Sequence, residues 1–355
     1  MSQPRRPLGP DLRGELLDDR YALEDIVGVG GSGNVYAARD RRLGRRVAVK
    51  VIHPEYARDE EQRRRIEQEA RIGAQIAHEH VAAILDFGTW IDARGEALPY
   101  IVMQLLRGRT LREAVLDGPV PWWVAAGWVR QLLAGLSALH ARGVLHRDVK
   151  LDNCLLVCEA DRETLKLLDL GLAKVTRDDL LSRRPWSSAG KVVGSLPYIS
   201  PEQALGEVLD ERTDIYAAGV VLFELLTRRQ PFVGSDYQVL SGHVEQAPPR
   251  PSEVASLAGI PAAIDAITLR ALAKRPEARF DSALEFEAAV VEALGDAGID
   301  VDLRPAIAGS GEAQAALAAW TCFDYEVARE RAEIAARLNR AWSPLKLLME
   351  LAPEE

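Results

Sequence analysis

The chain has 355 residues, a formal net charge of -9 and 48% hydrophobic residues, which suits a globular protein of two lobes plus a short extra segment. An acidic chain has no general attraction to nucleic acid or anionic lipid, and no apolar run reaches membrane-spanning length, so we expect neither nucleic-acid binding nor membrane insertion. The three cysteines form no CxxC pair, which favours a reducing compartment and predicts a cytoplasmic location.

The first hundred residues predict several strands and one helix. Residues 1–20 are polar and predict a flexible leader. Strand-like sequence occupies residues 21–51, 81–86 and 100–105. The stretch 60–77 is densely charged, with apolar residues at helical spacing, and it predicts the helix.

The rest of the chain predicts a mainly helical part. The expected elements are helices at residues 120–141, 213–227, 261–273 and 282–294, and a short strand pair at 155–158 and 165–168.

Residues 295–355 form a separate C-terminal segment. Apolar residues such as Leu317, Trp320 and Leu338 fall roughly on one helical face, which is typical of a packed helix. We favour a helical tail packed on the larger part of the molecule, and the alternative is an element that docks a partner.

Residues 27–35 contain a glycine-rich motif of the form G-x-G-x-x-G-x-V. Gly28, Gly30 and Gly33, flanked by Val27 and Val35, allow the backbone to approach a phosphate and to point its N–H groups at it. Dinucleotide-binding folds share such loops but continue directly into a helix. Strand-like sequence follows here, which argues against that class and leaves a glycine-rich hairpin.

Lys50 ends the next strand-like run, in the sequence VAVK. Together with the glycine motif, this lysine is the expected partner of the α- and β-phosphates of a nucleotide. Such a lysine needs a carboxylate to hold it in place, and Glu69 in the charged helix is the best candidate. Without Lys50, Glu69 would be interpreted as a solvated charge on a helix.

The segment 146–153, HRDVKLDN, carries the most information. Asp148 can provide the carboxylate that orients and deprotonates an attacking hydroxyl. Lys150 can provide positive charge near the transferring phosphoryl group, and Asn153 can provide an oxygen ligand for Mg²⁺. Asp169, in the sequence LLDLG, suits a second Mg²⁺ ligand. Alone, DLG predicts only a turn, but its place one hairpin after residues 146–153 favours the metal role.

Together these motifs resemble the eukaryotic-like serine/threonine protein kinases of bacteria, over about residues 21–294. The resemblance implies a bilobal α+β fold. A small, mainly antiparallel β lobe with one helix is expected at residues 21–103, a hinge at 104–106 and a larger α-helical lobe at 107–294, followed by the C-terminal helical tail.

The same resemblance implies the residues around the nucleotide. Met103 is expected as the gatekeeper, and Gln104 to Leu106 as the hinge whose backbone reads the adenine. The apolar sandwich around that ring is implied to consist of Val35, Ala48 and Leu155.

The resemblance also implies a platform for a polypeptide substrate. Ser195 is expected to contact the catalytic aspartate and Lys150, in the arrangement of serine/threonine kinases. Glu202 is expected to pair with Arg279, and Asp214 to anchor the backbone of the catalytic segment.

Regulation is expected to act through Arg147, which directly precedes the catalytic aspartate. In such kinases a phosphate on the activation segment often neutralises this arginine. Our hypothesis is that Ser187 or Ser188 is autophosphorylated, and the alternative is that both are plain polar loop residues. Because Leu170 and Gly73 have small side chains for their positions, we expect little contact between the charged helix and the DLG segment. Such a contact would hold the active state less rigidly.

The predicted function is therefore an ATP- and Mg²⁺-dependent serine/threonine protein kinase in signal transduction, with Mn²⁺ as an alternative metal and protein substrates as partners. One alternative is a pseudokinase scaffold that binds nucleotide or a partner without turnover. Lys50, Asp148, Asn153 and Asp169 are all present, which argues against it. A small-molecule kinase is a third alternative, and the substrate platform around Ser195 argues against that.

Overall fold

A six-stranded antiparallel sheet forms the small lobe. The computed structural model describes residues 11–30, 32–56, 60–92, 95–159, 162–169, 196–256 and 258–299. The strands are β1 (Leu16–Leu17), β2 (Tyr21–Gly30), β3 (Gly33–Asp40), β4 (Arg45–Ile52), β5 (Ile84–Ile91) and β6 (Ala97–Gln104). Hydrogen bonds join them in the order β1-β2-β3-β4-β6-β5.

Side chains alternate between the two faces of this sheet, because successive residues of a strand point in opposite directions. On β4, Val47, Val49 and Val51 pack into one apolar core of the small lobe. Ala48 and Lys50 therefore lie on the opposite face, although both side chains are also buried. A buried lysine is unusual, so the face with Ala48 and Lys50 is the candidate functional face of the sheet.

One helix, α1 (Glu60–Gly73), covers the sheet beside β5 and β6. Ile66 and Ala70, one turn apart, are buried, so the helix turns one apolar stripe inward. The helix predicted at residues 60–77 is confirmed, and it ends at Gly73 because glycine is unfavourable inside a helix.

Helices dominate the large lobe. Within the described residues they are α2 (Leu111–Asp117), α3 (Trp122–His140), α4 (Pro201–Leu205), α5 (Arg212–Thr227), α6 (Asp236–Glu245), α7 (Pro251–Val254), α8 (Ala262–Ala271) and α9 (Ala283–Asp296). None of the helices that the structure describes is both long and apolar enough to cross a membrane.

The central element of this lobe is α5, which is buried along its whole length from Thr213 to Thr227. A helix that is apolar on nearly all sides must be enclosed by other elements. Gly219 permits the closest of these contacts, because a Cβ atom at this position would lie 2.7 Å from the Cβ of Ala271 on α8.

A hairpin joins the two segments that carry the predicted chemistry. Strands β7 (Arg109–Thr110), β8 (Cys154–Glu159) and β9 (Arg162–Leu167) form a three-stranded antiparallel sheet. Strand β8 begins directly after Asn153, and Asp169 follows two residues after β9. The strand pair predicted for this region is confirmed.

The helices α2, α4, α6 and α7 are absent from the sequence prediction. In α6 only Val239, Gly242 and His243 are buried, so the sequence has no apolar stripe that would predict this helix. Its start does carry a local signal, a capping box in which the backbone N–H of Gln238 donates to Ser235 Oγ and that of Ser235 donates to Gln238 Oε1.

The prediction of a flexible leader is wrong for residues 11–20. Leu12 and Leu17 are buried in the small-lobe core, and β1 pairs with the start of β2, with Leu17 opposite Tyr21. The three leucines of this polar stretch, Leu12, Leu16 and Leu17, are too few to define a helix or strand period, so only the tertiary contact reveals the burial of Leu12 and Leu17. Residues 1–10 lie outside the described part of the chain.

The predicted boundary between the large lobe and the C-terminal tail, at residue 294, falls inside α9. This helix packs against α3 and α8 and buries Phe286, Val290 and Leu294, so its end belongs to the core of the large lobe. The helical tail predicted at residues 295–355 lies outside the described residues from residue 300 onward and stays a prediction.

A buried ion pair ties α4 to the loop before α9. Glu202 and Arg279 are each 2% exposed, and their two N–O contacts measure 2.7 and 2.8 Å. The remaining N–H groups of Arg279 donate to the carbonyls of Ala273, Arg212 and Lys274. Burial by itself would raise the pKa of Glu202, but the Arg279 hydrogen bonds and charge outweigh it and lower that pKa. The pairing predicted for these residues is confirmed.

Replacement of this arginine, Arg279→Met, should destabilise the fold by about 3–5 kcal/mol, because it leaves a buried carboxylate without its cation. Guanidinium denaturation followed by circular dichroism measures the change. Arg275→Met is the matched control, since Arg275 is 80% exposed and pairs with Glu277 at the surface; it should cost less than about 1 kcal/mol. Equal denaturation midpoints for the two variants would contradict the interpretation.

Candidate active site

Strand register brings the predicted nucleotide-binding residues to one face of the small-lobe sheet. Val35 lies opposite Lys50 across β3 and β4, and Ala48 lies opposite Met103 across β4 and β6. Directly opposed residues of an antiparallel pair project to the same face, and Ala48 and Lys50 are two residues apart on one strand. All four side chains therefore share one surface.

Other predicted nucleotide contacts border this face. Gln104 is exposed at the end of β6, and Leu106 follows it half-buried. Leu155 on β8 is 8% exposed and Val27 on β2 is 55% exposed. Their contact with an adenine ring stays a prediction.

Among the three glycines of the motif, Gly33 is the one whose neighbours exclude a side chain. A Cβ atom there would lie 2.2 Å from the carbonyl oxygen of Val51. At Gly28 a Cβ would meet Val35 at an ordinary 3.6 Å. Gly33 is therefore required by the close pairing of β3 with β4, whereas the need for glycine at position 28 would come from a bound phosphate.

Lys50 and Asp169 form a salt bridge between the lobes, in which the lysine is buried and the aspartate is partly exposed. The Lys50 ammonium donates to both carboxylate oxygens, at 2.6 Å for Oδ2, and the lysine is 3% exposed. Because an unpaired buried ammonium is strongly disfavoured, this contact holds the two charges together. Asp169 has φ +57°, which is unusual for a non-glycine residue, so its surroundings determine its backbone conformation.

Glu69 lies in the middle of α1, half-buried and next to the fully buried Ala70. Its helix and its place on that helix agree with the prediction. In this structure the Lys50 ammonium bonds to Asp169, and the predicted contact between Lys50 and Glu69 stays a prediction.

The segment 146–153 brings three predicted side chains into contact. Lys150 Nζ lies 2.7 Å from Asp148 Oδ2. Asn153 Nδ2 donates to the same oxygen at 3.1 Å and to the Asp148 carbonyl at 2.8 Å. An ammonium and an amide thus hold the Asp148 carboxylate in one orientation.

Asp214, in the first turn of α5, holds the backbone of this segment. The N–H groups of His146 and Arg147 donate to its two oxygens, each at 2.8 Å, and His140 Nε2 donates to Oδ2 at 2.8 Å. Burial of this carboxyl would raise its pKa, but the hydrogen bonds from His140 and from the backbone N–H of His146 lower it. Arg147 has φ +60°, a conformation that such anchoring can sustain. The predicted anchor is confirmed.

His146 connects the catalytic segment with the strand end that carries Asp169. Burial lowers the pKa of this ring, so it is neutral and has one N–H and one lone pair. Nε2 donates to the Leu168 carbonyl at 2.9 Å, and Nδ1 accepts from the N–H of Asp148 at 3.3 Å. The N–H of Leu168 in turn donates to the Asn153 carbonyl. The sequence pattern alone predicts no separate role for His146.

A second polar cluster lies against the turn Leu196–Tyr198, in the predicted substrate platform. The Tyr198 hydroxyl donates to Glu224 of α5, and Arg112 of α2 bonds to both, 2.6 Å from the hydroxyl oxygen. Glu224 is 4% exposed. No local pattern relates these three positions, so the sequence does not predict the cluster.

Asn153 and Asp169 are the residues that could hold Mg²⁺. The backbone bond between Leu168 and Asn153 brings their chain segments together. Because Asn153 Nδ2 is engaged by Asp148, Oδ1 is the amide atom left for a metal. Mg²⁺ is usually bound by one or two protein oxygens together with water and phosphate, so this donor set fits.

The segment 170–195 lies outside the described residues. It contains Leu170, Ser187, Ser188 and Ser195, so the contacts and phosphorylation predicted for them stay predictions.

This chain is similar to known proteins in both sequence and structure. Residues 21–283 match the family model described as protein kinase domain. Serine/threonine-protein kinase PknB of Mycobacterium leprae is 39% identical over 277 residues, which is 78% of this chain and 43% of that protein. Probable serine/threonine-protein kinase PknB of Corynebacterium glutamicum is 38% identical over 277 residues, 77% of this chain and 42% of that protein.

The chain belongs to the bacterial, eukaryotic-like serine/threonine protein kinase family. It spans less than half the length of these curated relatives. The crystal structure of the Mycobacterium tuberculosis PknI kinase domain superposes with a TM-score of 0.61 and 26% identity, covering 79% of this chain and 98% of that one. The kinase match begins after β1 and ends at the start of α9, although both elements pack on the kinase domain.

In this kinase domain, Asp214→Asn should lower kcat roughly 10- to 100-fold, because hydrogen bonds to a charged group are worth about 1.5–3 kcal/mol. Binding of ATP should change little, since Asp214 contacts the loop and not the nucleotide face. Steady-state kinetics and ATP titration measure the two effects. Glu211→Gln is the control, because this carboxylate is 41% exposed and lies 3.5 Å from the other His140 nitrogen. An unchanged kcat in Asp214→Asn would contradict the anchoring role.

Proposed function

We propose that this chain is an ATP- and Mg²⁺-dependent serine/threonine protein kinase. The observation that carries the proposal is the position of the Asp148 carboxylate, whose Oδ2 lies 2.7 Å from Lys150 Nζ and 3.1 Å from Asn153 Nδ2. Asp169 and Lys50 form a salt bridge close by in the fold. These side chains are the ones that phosphoryl transfer from ATP requires.

Each of these side chains has a distinct task. Asp148 orients the acceptor hydroxyl and takes its proton. Lys150 balances negative charge as the phosphoryl group moves, and Lys50 holds the α- and β-phosphates. Asn153 and Asp169 are the residues that would hold Mg²⁺, which when bound would neutralise charge on the phosphates.

The substrate class is protein. The turn Leu196–Tyr198 is fixed on the large lobe through Glu224, and the ion pair of Glu202 with Arg279 fixes the helix that follows. A built platform beside the catalytic segment suits an extended polypeptide better than a small metabolite. The serine/threonine preference rests on Lys150 and on the sequence position of Ser195.

Two further parts of the proposal rest on the sequence. Autophosphorylation at Ser187 or Ser188 is supported by Arg147, which lies half-buried beside Asp148 and could bind a phosphate. A cytoplasmic location is supported by the acidic composition and the absence of paired cysteines in the sequence.

The substitution Asp148→Asn should reduce phosphate transfer about 10²- to 10⁴-fold, because the amide cannot accept the hydroxyl proton. Radiolabelled ATP with Mg²⁺ measures transfer to the chain itself and to a generic basic protein, and a separate titration measures ATP binding, which should persist. Asp117→Asn is the control, since this carboxylate is 52% exposed and pairs with Arg109.

Two outcomes would argue against this proposal, the first against the activity and the second against the role of Asp148. ATP binding by the unaltered protein without any transfer would favour a pseudokinase scaffold. Transfer that survives Asp148→Asn unchanged would mean that another group activates the hydroxyl.

The substitution Asp169→Asn should raise the Mg²⁺ concentration needed for half-maximal transfer by at least about tenfold, because it removes the only charged ligand of the proposed pair. A Mg²⁺ titration at fixed ATP provides the measurement. Asp152→Asn should leave the Mg²⁺ midpoint unchanged, because its carboxylate faces Arg112, 3.4 Å from Nε. Equal midpoints in all three proteins would exclude Asp169 as a ligand.

A further inference from the structure

An open groove of about 450 Å³ lies on the large lobe, where the end of α2, the end of α5 and α7 meet. Val115 and Leu116 of α2 line one side of it, and Val254 of α7 lines another. None of these residues belongs to the catalytic segment or to the nucleotide face of the small-lobe sheet. The proposed kinase reaction therefore gives this groove no role.

The groove exposes apolar surface. Leu116 is 68% exposed, whereas its neighbour Val115 is 5% exposed and belongs to the core of the large lobe. Val254 is half-buried and packs against the same core. A single exposed leucine is common on protein surfaces, but this one lines a concave site together with Val254. The groove can therefore bury apolar side chains of a ligand.

Two arginines add positive charge to the groove. Arg228 and Arg229 follow directly after α5, line the groove and are both exposed. Neither pairs with a carboxylate of any residue that the structure describes. By contrast, Arg112, Arg212 and Arg279 of the same lobe each have a carboxylate partner. The groove thus combines apolar walls with charge that its own neighbours do not neutralise.

The backbone fixes the position of both arginines. Arg228 has φ +56°, its N–H donates to the Glu224 carbonyl at 2.8 Å, and its Nε donates to the Val115 carbonyl at 3.1 Å. The Arg229 N–H donates to Thr227 Oγ1 at 3.2 Å. A left-handed residue at a helix end is usually glycine, so position 228 carries a long cationic side chain where the turn alone would favour none. Since the turn is already ordered, binding a ligand there requires little further ordering of the backbone.

Residues 347–355 of the C-terminal segment have the complementary sequence, LLMELAPEE. The stretch 347–352 is apolar except for Glu350, and Glu354 and Glu355 follow it, with no basic residue among them. Residues 312–342 also contain apolar positions, but they carry five acidic and four basic residues. Charge therefore favours residues 347–355 as the occupant of a groove that is apolar and cationic.

The connection is long enough for this stretch to reach the groove. Residues 300–346 separate it from the end of the described large lobe, and a chain of that length can extend up to ~150 Å. A domain of about 280 residues has a radius of gyration of only about 19 Å. Tethering within one chain also gives an effective concentration on the order of a millimolar, so a contact of modest intrinsic affinity is occupied.

We propose that residues 347–355 bind in this groove of their own chain, with their apolar side chains on its walls and their carboxylates at Arg228 and Arg229. Exposed ion pairs contribute little affinity by themselves. Burial of the apolar side chains supplies most of the affinity, and the arginines select an acidic stretch and set its direction. The contact does not depend on the proposed phosphoryl transfer.

Photo-crosslinking in the full chain tests this contact. A chain with Leu116→p-benzoylphenylalanine should form a crosslink, at the mass of a single chain, to the tryptic peptide 347–355, which begins after Lys346. Tandem mass spectrometry of the digest identifies the crosslinked peptide. Leu205→p-benzoylphenylalanine is the matched control, because Leu205 is 57% exposed on α4, and it should give no crosslink to that peptide.

Exchange of the charges tests the arginines. Arg228→Glu with Arg229→Glu should lower the crosslink yield about 3- to 10-fold, because repulsion replaces two weak ion pairs. Glu354→Arg with Glu355→Arg should lower it by a similar factor. Combining all four substitutions should restore most of the yield, since the charges are then exchanged and not lost. A groove damaged by misfolding would not be repaired by changes in residues 354 and 355.

Four results would overturn the inference. The first is that position 116 gives no crosslink to residues 347–355, and the second is that position 205 gives an equal yield. The third is a crosslink found only between two chains, in a mixture of isotopically light and heavy protein, which would assign the groove to a second copy. The fourth is a yield that charge reversal leaves unchanged or that the fourfold exchange does not restore.

Discussion

Asp214 is a fully buried carboxylate that accepts hydrogen bonds from two consecutive backbone N–H groups and from the His140 ring. A buried charge is unfavourable unless it is satisfied on several sides, and here the groups that satisfy it belong to the catalytic segment. The same interaction sustains the left-handed backbone of Arg147. The need to satisfy one charge therefore determines where Asp148 lies.

From this anchor, a short series of bonds reaches the metal-binding residues. The His146 ring links the backbone of Asp148 to the carbonyl of Leu168, and the Leu168 N–H returns to Asn153. Asp169 follows next and meets Lys50 of the small lobe. The buried His146 ring bonds to the backbone of both segments, and the Leu168–Asn153 bond joins their backbones directly, so the separation between Asp148 and Asp169 has little freedom. The Lys50–Asp169 pair thus joins the two lobes at side chains that a nucleotide with its metal would also contact.

The helix α5 organises both the chemistry and the substrate platform. It is apolar and buried along most of its length, yet it carries Asp214, Tyr216 and Glu224. Asp214 holds the catalytic segment, Glu224 holds Tyr198, and Tyr216 engages His243. Polar side chains on an enclosed helix need hydrogen-bond partners, and here the catalytic segment, Tyr198 and His243 provide them. This shared origin explains how the catalytic segment and the turn Leu196–Tyr198 keep a constant relation.

The sequence alone determined the family, the bilobal fold, the order of the chemical motifs and two pairings, Asp214 with the catalytic backbone and Glu202 with Arg279, because these depend on short motifs with characteristic residue types. Only the tertiary structure decided that residues 11–20 belong to the small lobe, that Lys50 bonds to Asp169, and that Arg112 lies against the substrate turn. These contacts join residues far apart in the chain, and their energies come from burial and from the satisfaction of charges. Burial and the satisfaction of charges cannot be recognised in a local sequence pattern, because both arise only when distant segments come together and exclude water.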